Sequence, residues 1–130
     1  MNVLIRMTFV AALSMAGSVA AADFDGSKRL ICAPVEAMDC VAGAECIKGN
    51  PDDIGAPAFM RIDFAGKAIA GPGRTTPIKH METAASQVLL QGTEVGYAWA
   101  LALDRSSGKF SATLTNREGT FVLFGSCTPL

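Results

Sequence analysis

The stretch Tyr97-Ala98-Trp99-Ala100-Leu101-Ala102-Leu103-Asp104 decides the fold, together with the turn Arg105-Ser106-Ser107-Gly108 and the run Lys109-Phe110-Ser111-Ala112-Thr113-Leu114-Thr115 that follow it. Bulky apolar residues recur at every second position on both sides of a Ser/Gly-rich turn. That is the pattern of two half-buried strands in a hairpin, because successive side chains of a strand point to opposite faces. Tyr97, Trp99, Leu101 and Leu103 are expected on one face, with Ala98, Ala100 and Ala102 on the other. A face of alanines lets a neighbouring layer or partner approach closely. It is therefore a candidate working surface, and Trp99 is read as a core residue that holds the fold.

The same period extends outward in both directions. Met60, Ile62 and Phe64 alternate with Arg61, Asp63 and Ala65. Phe121 and Leu123 share a face while Val122 and Phe124 take the other, so the last strand is expected to be covered on both sides. Turn signals fall at hairpin spacing: Ala65-Gly66, Gly71-Pro72-Gly73, Gln91 through Gly96, and Asn116-Arg117-Glu118-Gly119. These bound further strands over 67–70, 75–82 and 87–90. Lys28–Ala33 and Glu45–Lys48 are strand candidates in the less regular first half. Asn50-Pro51-Asp52-Asp53 reads as a helical turn, with Asn at the N-cap, Pro at the first helical position and acids near the positive end of the dipole. The expected fold is all-β: an antiparallel meander closed into a small barrel or a two-layer sandwich of about eight strands, with one short helical turn near residues 51–54.

The chain has 130 residues, 11 basic against 12 acidic, and a formal net charge of −1. Its length allows one domain, and its pI near 5.7 argues against nucleic-acid binding. Residues 1–22 read as a cleavable signal peptide. Arg6 is the basic start, Met7–Ala16 the apolar stretch, and Gly17-Ser18-Val19-Ala20-Ala21-Ala22 the small-residue cleavage region. The apolar stretch is too short to span a bilayer, so residues 23–130 are read as a single β domain with no membrane span. A periplasmic or secreted location follows.

Cys32, Cys40, Cys46 and Cys127 would then enter an oxidising compartment and form two disulfides. Four thiols allow three pairings. Joining Cys40 to Cys46 clamps the short segment 41–45 and leaves Cys32, near the start of the domain, for Cys127, near its end. The long loop should contribute ~4–5 kcal/mol by chain entropy and the short one ~2–2.5. No C-x-x-C occurs and His80 is the only imidazole, so no metal site and no cofactor are expected.

No catalytic residues are assigned. A reaction at His80 would need a nucleophile and an acid, for which Ser86 or Thr76 and Glu82 are available. Thr76, Ile78, His80 and Glu82 instead read as one solvent-facing strand row, and no nucleophile-elbow or triad motif is present. Asp52-Asp53 suits a helix start better than an acid–base pair. Asp104-x-Ser106-x-Gly108 lacks the distal glutamate of a calcium loop and reads as a hairpin turn. Met38, Met60 and Met81 are read as core filler.

Leu30-Ile31-Cys32-Ala33-Pro34-Val35, Leu89 through Glu94, Tyr97-Ala98-Trp99 and Phe121 through Cys127 resemble a group of small exported proteins of Gram-negative bacteria. The resemblance spans nearly the whole chain after residue 22 and implies a secreted, disulfide-bonded β domain; it carries over no activity. Size, export and barrel-like reading are also similar to periplasmic inhibitors of c-type lysozyme, with Ser106-Ser107-Gly108-Lys109-Phe110 resembling their Ser-Gly loop with a nearby base. The expected function is a non-catalytic binding or inhibitor module of the cell envelope, with a periplasmic or extracellular protein, such as a lysozyme, as partner. The alternative is a small barrel carrying an apolar ligand on the Trp99 face.

Overall fold

The computed structural model describes residues 22–130. The signal-peptide reading therefore lies, but for Ala22, outside the described residues. Ten strands follow in order: β1 Leu30–Cys40, β2 Ile47–Gly49, β3 Met60–Asp63, β4 Ala68–Ala70, β5 Thr75–Pro77, β6 His80–Thr83, β7 Gln87–Glu94, β8 Tyr97–Asp104, β9 Lys109–Thr115 and β10 Thr120–Pro129. A single 3-10 turn, Pro51–Ile54, sits between β2 and β3, with Asn50 as its N-cap and Pro51 at its first position. The all-β expectation holds.

One antiparallel sheet runs in the order β5-β4-β3-β1-β10-β9-β8-β7-β6 and curls into a half-barrel, with β2 paired to the upper part of β1. It is one curled layer, not a two-layer sandwich. First and last long strands are neighbours along their whole length, from Leu30 opposite Pro129 to Cys40 opposite Thr120. The two end strands of the sheet, β5 and β6, are consecutive in the chain and joined by Ile78-Lys79. Pro77 has no N–H to continue the ladder with β4. Ile78 N–H donates to Lys67 O and Lys79 N–H swings to Gln91 O on β7, each at 2.8 Å. The single strand expected over 75–82 is thus broken where it changes partner.

The core is the concave side of this sheet. Leu30, Ile62, Val88, Leu90 and Leu103 are fully buried there, with Trp99, Leu101, Phe110, Ala112 and Leu123 around them. On β8 the alternation matches the sequence reading: Trp99, Leu101 and Leu103 face inward, and Ala98 and Ala100 are exposed. β1 keeps its apolar residues inside by a β-bulge. Leu30, Cys32 and Pro34 face in, the register slips between Pro34 and Glu36, and Ala37 resumes the inner face. The extra residue, Val35, is pushed out and is 69% exposed. A bulge is also where a strand tolerates a proline such as Pro34.

Three expectations need correction. Gln91 through Glu94 extend β7, so the loop read over 91–96 shrinks to the turn Val95-Gly96. The outer side of the last strand is not covered within the chain, since Phe124 is 40% exposed. Met81, read as core filler, lies at the end of the sheet and is exposed, because β6 has a neighbour on one side only.

Candidate functional site

Cross-strand register places four connections at one end of the half-barrel. Cys40, Thr120, Thr115, Ala98 and Thr93 lie side by side in the uppermost row. Above that row stand the segment 41–45, the turn Val95-Gly96 and the turn Asn116–Gly119, and the loop Gly71–Arg74 reaches them through the Arg74–Glu94 ion pair at 3.8 Å.

The segment 41–45 is clamped at its base by a disulfide between Cys40 and Cys46. The Asn116–Gly119 turn braces it from the side: a Cβ on Gly119 would sit 2.7 Å from Cys40 O and 3.2 Å from Val41 Cγ1. That turn is itself held by Asn116 Oδ1, which accepts from the N–H groups of Glu118 at 2.8 Å and Gly119 at 3.1 Å. The Thr115 and Thr120 hydroxyls meet at 2.9 Å beneath it. Apolar side chains are nevertheless displayed on this braced scaffold. Val41 is 50% exposed, and Ile47 and Val95 are each 72% exposed. Glu45 and Asp39 stand exposed among them.

Just inside this end lies an aromatic layer. Tyr97 and Phe121 stack obliquely, ring centroids 6.0 Å apart. The next inner row runs Asp39, Phe121, Leu114, Trp99 and Gly92. Trp99 is packed rather than open: its indole lies over Gly92, and its Nε1–H donates to Thr76 Oγ1 at 3.3 Å. The Thr76 hydroxyl in turn donates to Thr93 O at 3.3 Å.

The residues weighed for catalysis do not converge. Thr76 lies inside, bonded to Trp99, and Ile78 is buried, whereas His80 and Glu82 are exposed on β6. The solvent-facing row expected from Thr76 to Glu82 is therefore split, because the partner change at Ile78-Lys79 turns the strand over. Ser86 lies past the far end of β6. Among the described residues no three His, Cys, Asp or Glu side chains stand together as a metal cluster would require. Asp104 forms the tight turn read from sequence: its Oδ1 accepts from Ser106 N and Oγ and from Ser107 N at 2.6–2.8 Å. These bonds, first the one from the Ser106 side chain, hold its carboxyl down to about 2.

The second disulfide joins Cys32 to Cys127 directly across β1 and β10, with 95 residues between them in sequence. No described helix is long and apolar enough to cross a membrane. Two shallow depressions lie on the outside of the sheet. One, of about 180 Å³, is floored by Ala100 and Ala102. The other, of about 340 Å³, lies beside Gln87, Asp104 and Lys109. Missing from the sequence reading were Val95, hidden in a loop drawn too long, and Ile47, whose exposure follows from β2 having only β1 as neighbour. No protein-family description, no curated protein and no solved structure matches this chain.

Proposed function

We propose that this chain is an exported, non-catalytic binding domain of the cell envelope that holds a protein partner at the loop-bearing end of its half-barrel. One observation carries the reading: exposed apolar Val41, Ile47 and Val95 stand at one end of the half-barrel, and the loop there that carries Val41 is disulfide-clamped and braced, so the shape of that loop is set before any partner arrives. A loop left free would lose conformational entropy on binding, and preorganisation removes much of that cost. Val41, Ile47 and Val95 supply apolar anchors, and Glu45 and Asp39 supply acids that complement a basic partner protein. Two disulfides accord with export to an oxidising compartment. The alternative of an apolar ligand on the Trp99 face draws less support, since that indole is packed on Gly92 and hydrogen-bonded.

The test is a photo-cross-linking amino acid placed at Val41, Ile47 or Val95, with Ser107 at the opposite end as control, in cells that export the chain. A discrete adduct with another protein from the first three positions and not from Ser107 supports the reading. Equal labelling at both ends, or none, overturns it.

A further inference from the structure

The two disulfides stand in opposite surroundings. Cys32 and Cys127 are core residues, 0% and 8% exposed, joined across the ladder between β1 and β10. Cys46 is exposed and Cys40 half-buried, and every residue between them is exposed. Exchange needs a thiolate to reach a sulfur of the bond, so a thiol in solution meets the second bond and not the first.

The segment tied down by the exposed bond has little else to hold it. Cys40 ends β1 and stays fixed without the bond, because it pairs with Thr120 on β10 and its carbonyl lies against Gly119. Cys46 has no such support. It leads into β2, a strand of three residues whose only neighbour is β1 and whose Ile47 and Lys48 are both exposed. Pairing that short is marginal by itself. The Lys48–Glu36 ion pair, at 2.7 Å, is exposed too, and such pairs add little. The next firm anchor is Pro51, buried at the start of the 3-10 turn. The bond therefore decides whether residues 41–50 have one shape or form a loop tethered only at its ends.

We propose that Cys40–Cys46 is a thiol–disulfide exchange site, a redox switch on this end of the half-barrel whose reductant is a protein dithiol. A thiolate of the dithiol attacks Cys46 Sγ, the more exposed side of the bond. The S–S bond breaks, and Cys40 Sγ leaves with the electron pair and takes up a proton. The second thiolate of the dithiol then attacks the mixed disulfide and releases Cys46, which is protonated in turn. Two electrons and two protons pass to the cysteines, and the dithiol becomes a disulfide. A monothiol would stall at the mixed disulfide, where Cys40, held in place beside it, attacks back. Oxidised, the loop presents Val41 in a fixed arrangement; reduced, it loses that arrangement while the core bond and the sheet persist. What the switch controls rests on the binding reading above, but its chemistry does not.

The test is reduction of the oxidised protein by dithiothreitol, with free thiols blocked by N-ethylmaleimide at intervals and mapped by peptide mass. In buffer, Cys40–Cys46 should open roughly a hundredfold faster than Cys32–Cys127. In concentrated guanidinium chloride that difference should collapse, since burial is its source. The chain with only Cys40–Cys46 open should exchange its amide hydrogens over residues 46–49 roughly tenfold faster, with β8 and β9 unchanged. Reoxidation should reverse the change. Joint opening of both bonds in buffer overturns the inference, as does an opened chain whose 46–49 amides exchange as slowly as before. Loss of protection across β8 and β9 also overturns it, because the bond would then be part of the fold and not a switch. No partner enters these measurements, so their failure is distinguishable from failure of the cross-linking at Val41, Ile47 and Val95.

Discussion

Gly92 lies directly opposite Trp99 across β7 and β8, and a Cβ on Gly92 would fall 2.4 Å from the indole Cζ2 and 2.7 Å from Pro77 O. The indole thus occupies the place a side chain would take, and Thr76 holds its Nε1–H at 3.3 Å. Trp99 fills the sheet where the chain changes from β5 to β6. Trp99→Ala should therefore cost ~3–5 kcal/mol, a large part of a small domain's stability. Gly92→Ala should destabilise as well, because backbone as well as indole stands in the way. Thermal unfolding of both variants beside the parent checks this; an unchanged midpoint for Trp99→Ala would show the indole to be a lining and not a packing residue.

The two disulfides should differ in weight. Cys32–Cys127 closes almost the whole described chain, whereas Cys40–Cys46 closes a few residues. The double variant Cys32→Ser/Cys127→Ser should lose ~4–5 kcal/mol in denaturant titration, and Cys40→Ser/Cys46→Ser ~2. The second variant should stay folded and become susceptible to protease at Val41–Glu45. Peptide mapping without reduction should recover both links.

Asp104 gives a pH prediction with a definite sign. Its carboxyl is held down to about 2 in the folded chain by Ser106 and Ser107, below the ordinary value of 3.8. A group whose folded pKa is depressed stabilises the fold above its unfolded pKa, and that contribution is lost as pH falls through the folded one. The midpoint of the parent should exceed that of Asp104→Asn at pH 5. The gap should narrow from about pH 4 downward and close near pH 2. A gap independent of pH would mean that the turn does not depend on the carboxylate charge.

Much of this fold was legible because half-buried strands keep period two whatever their partners. Trp99, Leu101 and Leu103 on one side, with alanines on the other, needed no tertiary information. The misreadings fall where tertiary partners decide. Nothing in Thr75–Glu82 announces that pairing with β4 ends at Pro77 and pairing with β7 begins at Lys79, because both acceptors, Lys67 O in the β3–β4 turn and Gln91 O on β7, lie outside that segment. The bulge that ejects Val35 is set by the register with β10. Exposure of Ile47 was equally hidden, since it follows from β2 having no strand on its far side.

Val95 offers the clearest separation of stability from binding. It precedes Gly96 in the turn between β7 and β8, with φ of 43° at Val95 and 82° at Gly96. Positive φ at both central residues is the geometry that favours Asn-Gly, and a β-branched residue there crowds its own carbonyl. The strain costs on the order of 1–2 kcal/mol. Nothing in the fold requires Val95, whose side chain is 72% exposed. Val95→Asn should therefore raise the unfolding midpoint by about 4–8 °C for each kcal/mol relieved in a domain of this size. If Val95 is retained as a contact residue of the binding end, the same variant should bind its partner more weakly. Calorimetry and the cross-linking yield from Val41, measured on one preparation, give the two readouts. A variant that is more stable and cross-links as well as the parent would remove Val95 from the binding surface and leave it an unexplained strain.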